Sequence, residues 1–155
     1  MIQVKNYCKT YAEVQAVNNL SFTVEPGQVL GLVGPNGAGK TTTIRAITGI
    51  IPPTNGTLTI AEHDVVADPT SAKAKLAYIP DDPKLFDLLT VTEHLHFTAE
   101  IYDVPKADRP AIFERLLQQF ALTEKRDTSA GELSRGMRQK VAICCAYLHN
   151  PRAIL

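Results

Sequence analysis

Eight consecutive residues, Gly34-Pro-Asn-Gly-Ala-Gly-Lys-Thr41, carry the clearest chemistry in this 155-residue chain. Glycines at 34, 37 and 39 permit backbone conformations and close approaches that a Cβ forbids. The N–H groups from Gly37 to Thr41 then converge on one concavity. Lys40 closes the loop, followed by the hydroxyls of Thr41 and Thr42. That set suits a polyphosphate. Backbone N–H groups meet its oxygens, the ammonium meets the β- and γ-phosphates, Thr41 faces Mg²⁺ and Thr42 an outer oxygen. The spacing G-x-x-x-x-G-K-[ST] points to a nucleoside triphosphate, ATP with Mg²⁺, held by Gly34, Pro35, Asn36, Gly37, Ala38, Gly39, Lys40, Thr41 and Thr42. A dinucleotide fold needs G-x-G-x-x-G, which this spacing does not supply.

Such a loop must sit between a strand and a helix. Val29 to Val33 is a short, β-branched apolar run, expected to be a buried strand. After Lys40, Ile44, Ile47 and Ile50 recur at helical spacing, so Thr41–Ile50 is expected to be helical with its N-terminus on the loop, where the helix dipole favours anions. Strands are also expected at Ile2–Tyr7, Leu20–Val24, Thr57–Ile60 and Leu76–Ile79. Downstream the pattern changes. Thr90 to Tyr102, with Thr92 as N-cap, and the segment around Ile112 to Phe120 both predict amphipathic helices. A third helix is expected from Ser134 to Asn150, stopped by Pro151. Strands with one helix, then a block of helices, then a new apolar run at Ala153–Leu155 describe an α/β core with a helical insertion.

The bulk composition excludes several classes. Lys+Arg and Asp+Glu are both 16, leaving no basic excess of the kind a nucleic-acid footprint needs. Cys8, Cys144 and Cys145 make an odd set without framework spacing, expected to be reduced; the adjacent pair is expected to be buried as small hydrophobes. The longest apolar run, Val141–Leu148, falls far short of the ~18 residues of a membrane span. His94 and His96 lie two apart on a helix, face different ways and are expected to be solvated.

A second segment narrows the field. Leu133-Ser-Arg-Gly-Met-Arg-Gln-Lys140 lies about ninety residues after the loop, at a predicted helix start. From the residues alone, Ser134 is a good N-cap. With Gly136 it also makes a second anion-favouring helix N-terminus. The segment resembles the L-S-G-G-Q signature of ABC-transporter ATPases, and essentially the whole chain is similar to the N-terminal two-thirds of an ABC ATP-binding subunit.

The resemblance implies an α/β fold: a P-loop NTPase core of ABC ATPase type, with an N-terminal antiparallel β part and a helical subdomain. It implies domains at 1–87 with 151–155 (core) and 88–150 (helical subdomain). Tyr11 stands where the family stacks an aromatic ring on adenine, with Tyr7 as its rival. Leu133, Ser134, Arg135, Gly136 and Met137 would touch the γ-phosphate of ATP held by a second ATP-binding subunit in a head-to-tail dimer. Membrane-spanning permease subunits would be the other partners. The subunit would be cytoplasmic and peripheral on the cytoplasmic face of the cell membrane. The S-R-G-M variant resembles the branch serving ABC-2-type exporters. A soluble ABC-type switch acting on nucleic acid or ribosomes is the alternative, against which the neutral charge counts.

Asp81 departs from the family glutamine of the Q-loop; as a carboxylate it is a good hard-cation ligand and is expected near Mg²⁺. Asp81 and Asp82 read equally well as solvated turn residues before Pro83. The family's magnesium-binding Asp and catalytic Glu, which follow the Ala153–Leu155 strand, and its later switch histidine have no counterpart here. The chain is therefore expected to be a fragment lacking the C-terminal strands. It is expected to bind nucleotide without turning it over, and its core sheet to be left with an exposed edge. None of its residues is expected to serve as the hydrolytic base.

Overall fold

The computed structural model describes residues 1–155 and divides into two compact units, Met1–Leu76 with Leu155, and Ala77–Ile154. In the first, strands β1 (Ile2–Tyr11) and β2 (Val14–Val24) form an antiparallel hairpin. Strand β3 (Asn55–Ile60) pairs antiparallel with the other edge of β1, and the short β4 (His63–Asp64) with β3, giving the order β2-β1-β3-β4. Period-two patterning puts Ile2 and Val4 in the core with Leu58 and Ile60. A register shift between Val4 and Tyr7 reverses the phase, which buries Tyr7. Asn6, at φ 48°, sits in that shift, a left-handed conformation asparagine tolerates. Helix α1 (Lys40–Ile47) buries Thr43, Ala46 and Ile47. The short α2 (Pro69–Ala74), not anticipated from the sequence, starts at Asp68, whose side chain accepts from the Ser71 N–H, with Pro69 in the first turn.

Where β3 enters beside β1, Gly56 has φ +88° and a Cβ there would stand 2.4 Å from the Asn6 carbonyl oxygen and 2.5 Å from that of Lys5. Both obstacles are strand backbone, and neither can yield without opening the ladder. Gly56→Ala is expected to cost roughly 3 kcal/mol, seen as a lower urea midpoint for the complete protein. An unchanged midpoint would show that the strands separate there at no cost.

The second unit packs three helices. Helix α3 (Val91–Ile101) presents Val91, Leu95 and Ala99, and α4 (Arg109–Gln119) presents Phe113, Leu116 and Leu117. Helix α5 (Arg135–Tyr147) supplies Val141 and Cys144 to the same core. The side chain of Arg109, largely buried at the start of α4, donates to the Val104 carbonyl (2.8 Å) and pairs with Glu100 of α3 (2.5 Å). Short strands β5 (Leu76–Ala77) and β6 (Ala153–Ile154) form a two-stranded sheet. No helix is long and apolar enough to cross a membrane.

Three expectations need correction. Val29–Val33 is not a strand: Val29 is 99% and Val33 94% exposed, and neither sheet includes the run. A buried parallel strand persists only between neighbours that take its N–H and C=O groups. The order β2-β1-β3-β4 is built without it, so the run has no ladder to join. The α3 cap is Thr90, not Thr92. Thr90 forms a reciprocal capping box with Glu93, while Thr92 donates its hydroxyl to the Arg126 carbonyl. His94 is buried, not solvated. Its Nε2 takes the Phe86 N–H (3.0 Å) and its Nδ1 meets the Thr90 carbonyl (2.8 Å), which fixes the proton on Nδ1. His96 is exposed as expected, edge-on against Phe113.

Candidate functional site

The loop from Gly34 to Gly39 leads directly into α1, whose N-cap, Gly39, is left-handed (φ +82°) and offers no side-chain cap. The first N–H groups of α1 therefore have no side-chain oxygen against them, the state in which a helix start receives an anion. Gly39 is also wedged against the hairpin: a Cβ there would lie 2.6 Å from the Ala16 carbonyl oxygen. The loop is thus seated on β2. The Lys40 ammonium folds back over the loop, donating to the carbonyls of Gly34 (2.6 Å) and Pro35 (2.7 Å). Behind it, Thr43 Oγ1 donates to the Gly39 carbonyl (2.9 Å) and Tyr7 OH to that of Thr42 (3.5 Å). Pro35 through Ala38, and Thr41, are exposed; Thr42 is half-buried. The residues fit an Mg²⁺–triphosphate group: open N–H donors, one cation over the loop and an exposed hydroxyl.

Tyr7 and Tyr11, the two rivals for base stacking, part company here. Tyr7 is fully buried, and burial, helped by the nearby Tyr11 phenol, pushes its hydroxyl up to about 12. Tyr11 is 45% exposed at the end of the hairpin, paired with Val14. The phosphate loop abuts the same hairpin at Ala16–Val17.

The second unit carries the other predicted group. Ser134 caps α5, its hydroxyl accepting from the Met137 N–H (3.3 Å). Leu133 is buried; Ser134, Arg135 and Gly136 are exposed and Met137 is half-buried. A Cβ on Gly136 would meet nothing within 4 Å. Asp81 and Asp82 are both exposed. The Lys84 ammonium bonds Asp82 at 2.5 Å and holds its carboxyl below the usual carboxylate range, with smaller help from Arg135 and Arg138. Cys144 is buried in the helical core, where desolvation pushes its thiol up to about 12; Cys145 is half-buried.

Sequence reasoning assigned no role to the residues that fasten the 80–89 segment to α5. The Arg138 Nη1 bridges the Asp87 carboxylate (2.7 Å) and the Ala130 carbonyl (2.9 Å). Gln139 donates to the Pro80 carbonyl (3.2 Å). The backbone N–H groups of Ala130 and Gly131 bond the carbonyls of Leu89 and Asp87. No periodicity signals such long-range ties. Phe86, Asp87, Leu88, Leu89 and Phe97 line an open, largely apolar cleft of about 420 Å³, with Phe97 edge-on to Phe86. Lys9, which packs over Tyr11, was also missed; its place two positions before Tyr11 on one strand was the available signal.

Comparison with known proteins agrees with this geometry. A family model described as ABC transporter matches residues 17–155. The ABC-type transporter ATP-binding protein EcsA of Bacillus subtilis is 37% identical over 151 residues, 97% of this chain and 61% of that protein. The SkfA peptide export ATP-binding protein SkfE of the same organism is 39% identical over 150 residues, 97% of this chain and 62% of that protein. A solved ATP binding subunit of an ABC transporter superposes with a TM-score of 0.91 at 34% identity, over 97% of this chain and 63% of its own. The chain thus spans about three fifths of the length of the curated relatives it matches. The P-loop core with its antiparallel N-terminal sheet and helical unit is the ATP-binding fold of those subunits, and this chain belongs to the ABC transporter family.

Proposed function

We propose that the complete protein is the ATP-hydrolysing subunit of a membrane exporter, and that this chain holds its ATP-binding loop and its signature turn. The phosphate loop carries the reading: a left-handed Gly39 seated on the hairpin, an α1 start without a side-chain cap, and Lys40 poised over Gly34 and Pro35. Gly34 through Thr42 would hold the triphosphate, Thr41 would bind Mg²⁺, and Tyr11 would stack on adenine. Mg²⁺ would supply charge neutralisation on the phosphate oxygens.

Gly136 supports a head-to-tail dimer. Gly136 stands in the first turn of α5, and nothing in the chain itself crowds it. A surface pressed from outside gives the bare backbone a purpose, and the γ-phosphate bound to a second copy fits it. Ser134 and its neighbours from Leu133 to Met137 would then complete that copy's site. In functional terms, 88–150 is the helical subdomain presenting this turn, and 1–87 with 151–155 the nucleotide core.

The open cleft at Phe86, Leu88 and Phe97 supports a permease partner, because contiguous exposed apolar surface marks protein contact. An amphipathic segment of the membrane subunit is the proposed occupant, and the subunit would then work at the cytoplasmic membrane face. Export is supported by a relative named for peptide export.

A mixing experiment tests the dimer. In a two-fold arrangement each site takes Lys40 from one copy and Ser134 from the other. Complete proteins carrying Lys40→Met and Ser134→Ala should each fail to trap Mg²⁺-ATP alone and should recover trapping when co-assembled, since one composite site is then intact. No recovery would mean that each site is built from a single chain.

A further inference from the structure

Tyr11 does not stand alone. The Lys9 ammonium lies over its ring, 5.1 Å from the centroid. That ammonium is anchored: its Nζ donates to the Pro52 carbonyl at 2.7 Å. The turn carrying Pro52 is itself tied to β1, because the Thr54 N–H bonds the Cys8 carbonyl (2.9 Å) and Thr54 Oγ1 accepts from the Thr10 N–H (3.0 Å). Lys9 is half-buried, whereas Tyr11 keeps 45% of its surface in solvent. One face of the phenol is therefore covered by a fixed cation, at the hairpin end that adjoins the phosphate loop.

We propose that Lys9 is a positioning residue for the nucleotide base: it occupies one face of Tyr11, holds the ring in place and leaves adenine the other face. The inference rests on the reading of Tyr11 as the adenine platform. Two effects act together. A cation over one face draws π density towards itself, which lowers the repulsion a stacked purine meets on the far face. A ring held between a cation and its own strand also loses less freedom when the base arrives. The triphosphate gains nothing from either effect, since Lys9 is committed to Pro52 and Tyr11.

The test compares Mg²⁺-ATP with inorganic triphosphate as ligands of the complete protein. Lys9→Met keeps the stem and removes the charge. It should weaken ATP binding about two- to fivefold and leave triphosphate binding unchanged. Lys9→Arg should restore ATP affinity. In a Tyr11→Ala background, Lys9→Met should have no further effect. Equal losses for both ligands in Lys9→Met would overturn the proposal, assigning the lysine to the fold or the phosphates. So would a Lys9→Met protein with normal ATP affinity when Tyr11→Ala weakens it. If Tyr11→Ala itself leaves ATP affinity intact, the platform reading fails and the proposal goes with it.

Discussion

Gly39→Ala is expected to weaken nucleotide binding severely and to destabilise the Met1–Leu76 unit. Two penalties coincide at this residue. A non-glycine residue at φ +82° pays about 1–2 kcal/mol for the left-handed conformation. Its Cβ would also stand 2.6 Å from the Ala16 oxygen and 2.8 Å from a Val17 methyl. The first obstacle is backbone of β2, so relief requires moving the loop off the hairpin. Moving the loop rotates Gly39 and tilts the first N–H groups of α1 away from one another. Reseating the displaced loop around the triphosphate would then cost up to about 3 kcal/mol, a loss of affinity on the order of a hundredfold, while strain that the loop does not shed by moving lowers stability instead. Calorimetric titration with Mg²⁺-ATP and urea unfolding of the complete protein would read the two effects. Wild-type affinity in this variant would show that the loop does not need its seat on Ala16–Val17.

Lys40→Met is expected to weaken Mg²⁺-ATP binding by a hundredfold or so, with little change in melting temperature. A unit charge pair at ~4 Å is worth about 4 kcal/mol at an effective dielectric of ~20. Part of that is offset, because the ammonium already bonds the Gly34 and Pro35 carbonyls and must exchange partners to meet a phosphate. The exchange brings the net expectation to around a hundredfold. Stability should hardly respond, since the loop is exposed and α1 is anchored through Thr43, Ala46 and Ile47. Lys40→Arg should not rescue binding. A broad planar guanidinium on a longer side chain does not reproduce the compact point charge that the loop holds beside the Gly34 and Pro35 carbonyls. A Met variant that binds as well as wild type would leave the backbone N–H groups as the whole site.

The two units differ in how much of them the sequence disclosed, and the difference is one of range. Ser134 was legible as a cap because capping is settled within four residues. Thr92 was preferred over Thr90, although Glu93 stands three residues after Thr90 and completes a box that Thr92 cannot make. His94 lies three residues after Val91, on the buried stripe, so its burial was available from spacing alone. Its bond to the Phe86 N–H was not, because that partner comes from a loop. Val29–Val33 shows the opposite limit. Its composition is that of a core strand, yet strand formation is a property of pairs, and no partner for it lies in this chain's sheets. At the candidate site, the phosphate loop was read from eight contiguous residues. Lys9 stands two residues before Tyr11 on one strand, within reach of a local pattern, but its bond to Pro52 joins β1 to a turn more than forty residues on, which is not.

The ties between the 80–89 segment and α5 make a lever of the second unit. Pro80, Asp87 and Leu89 are each held to α5 or to the turn just before it. The load is carried by a charge-assisted bond and by backbone bonds, with no glycine-rich hinge in series. Phe86 and Leu88 are exposed on the segment so held, and Ser134 stands at the start of α5. A force applied at the apolar cleft would therefore bear on α5 and the turn before it directly through these bonds.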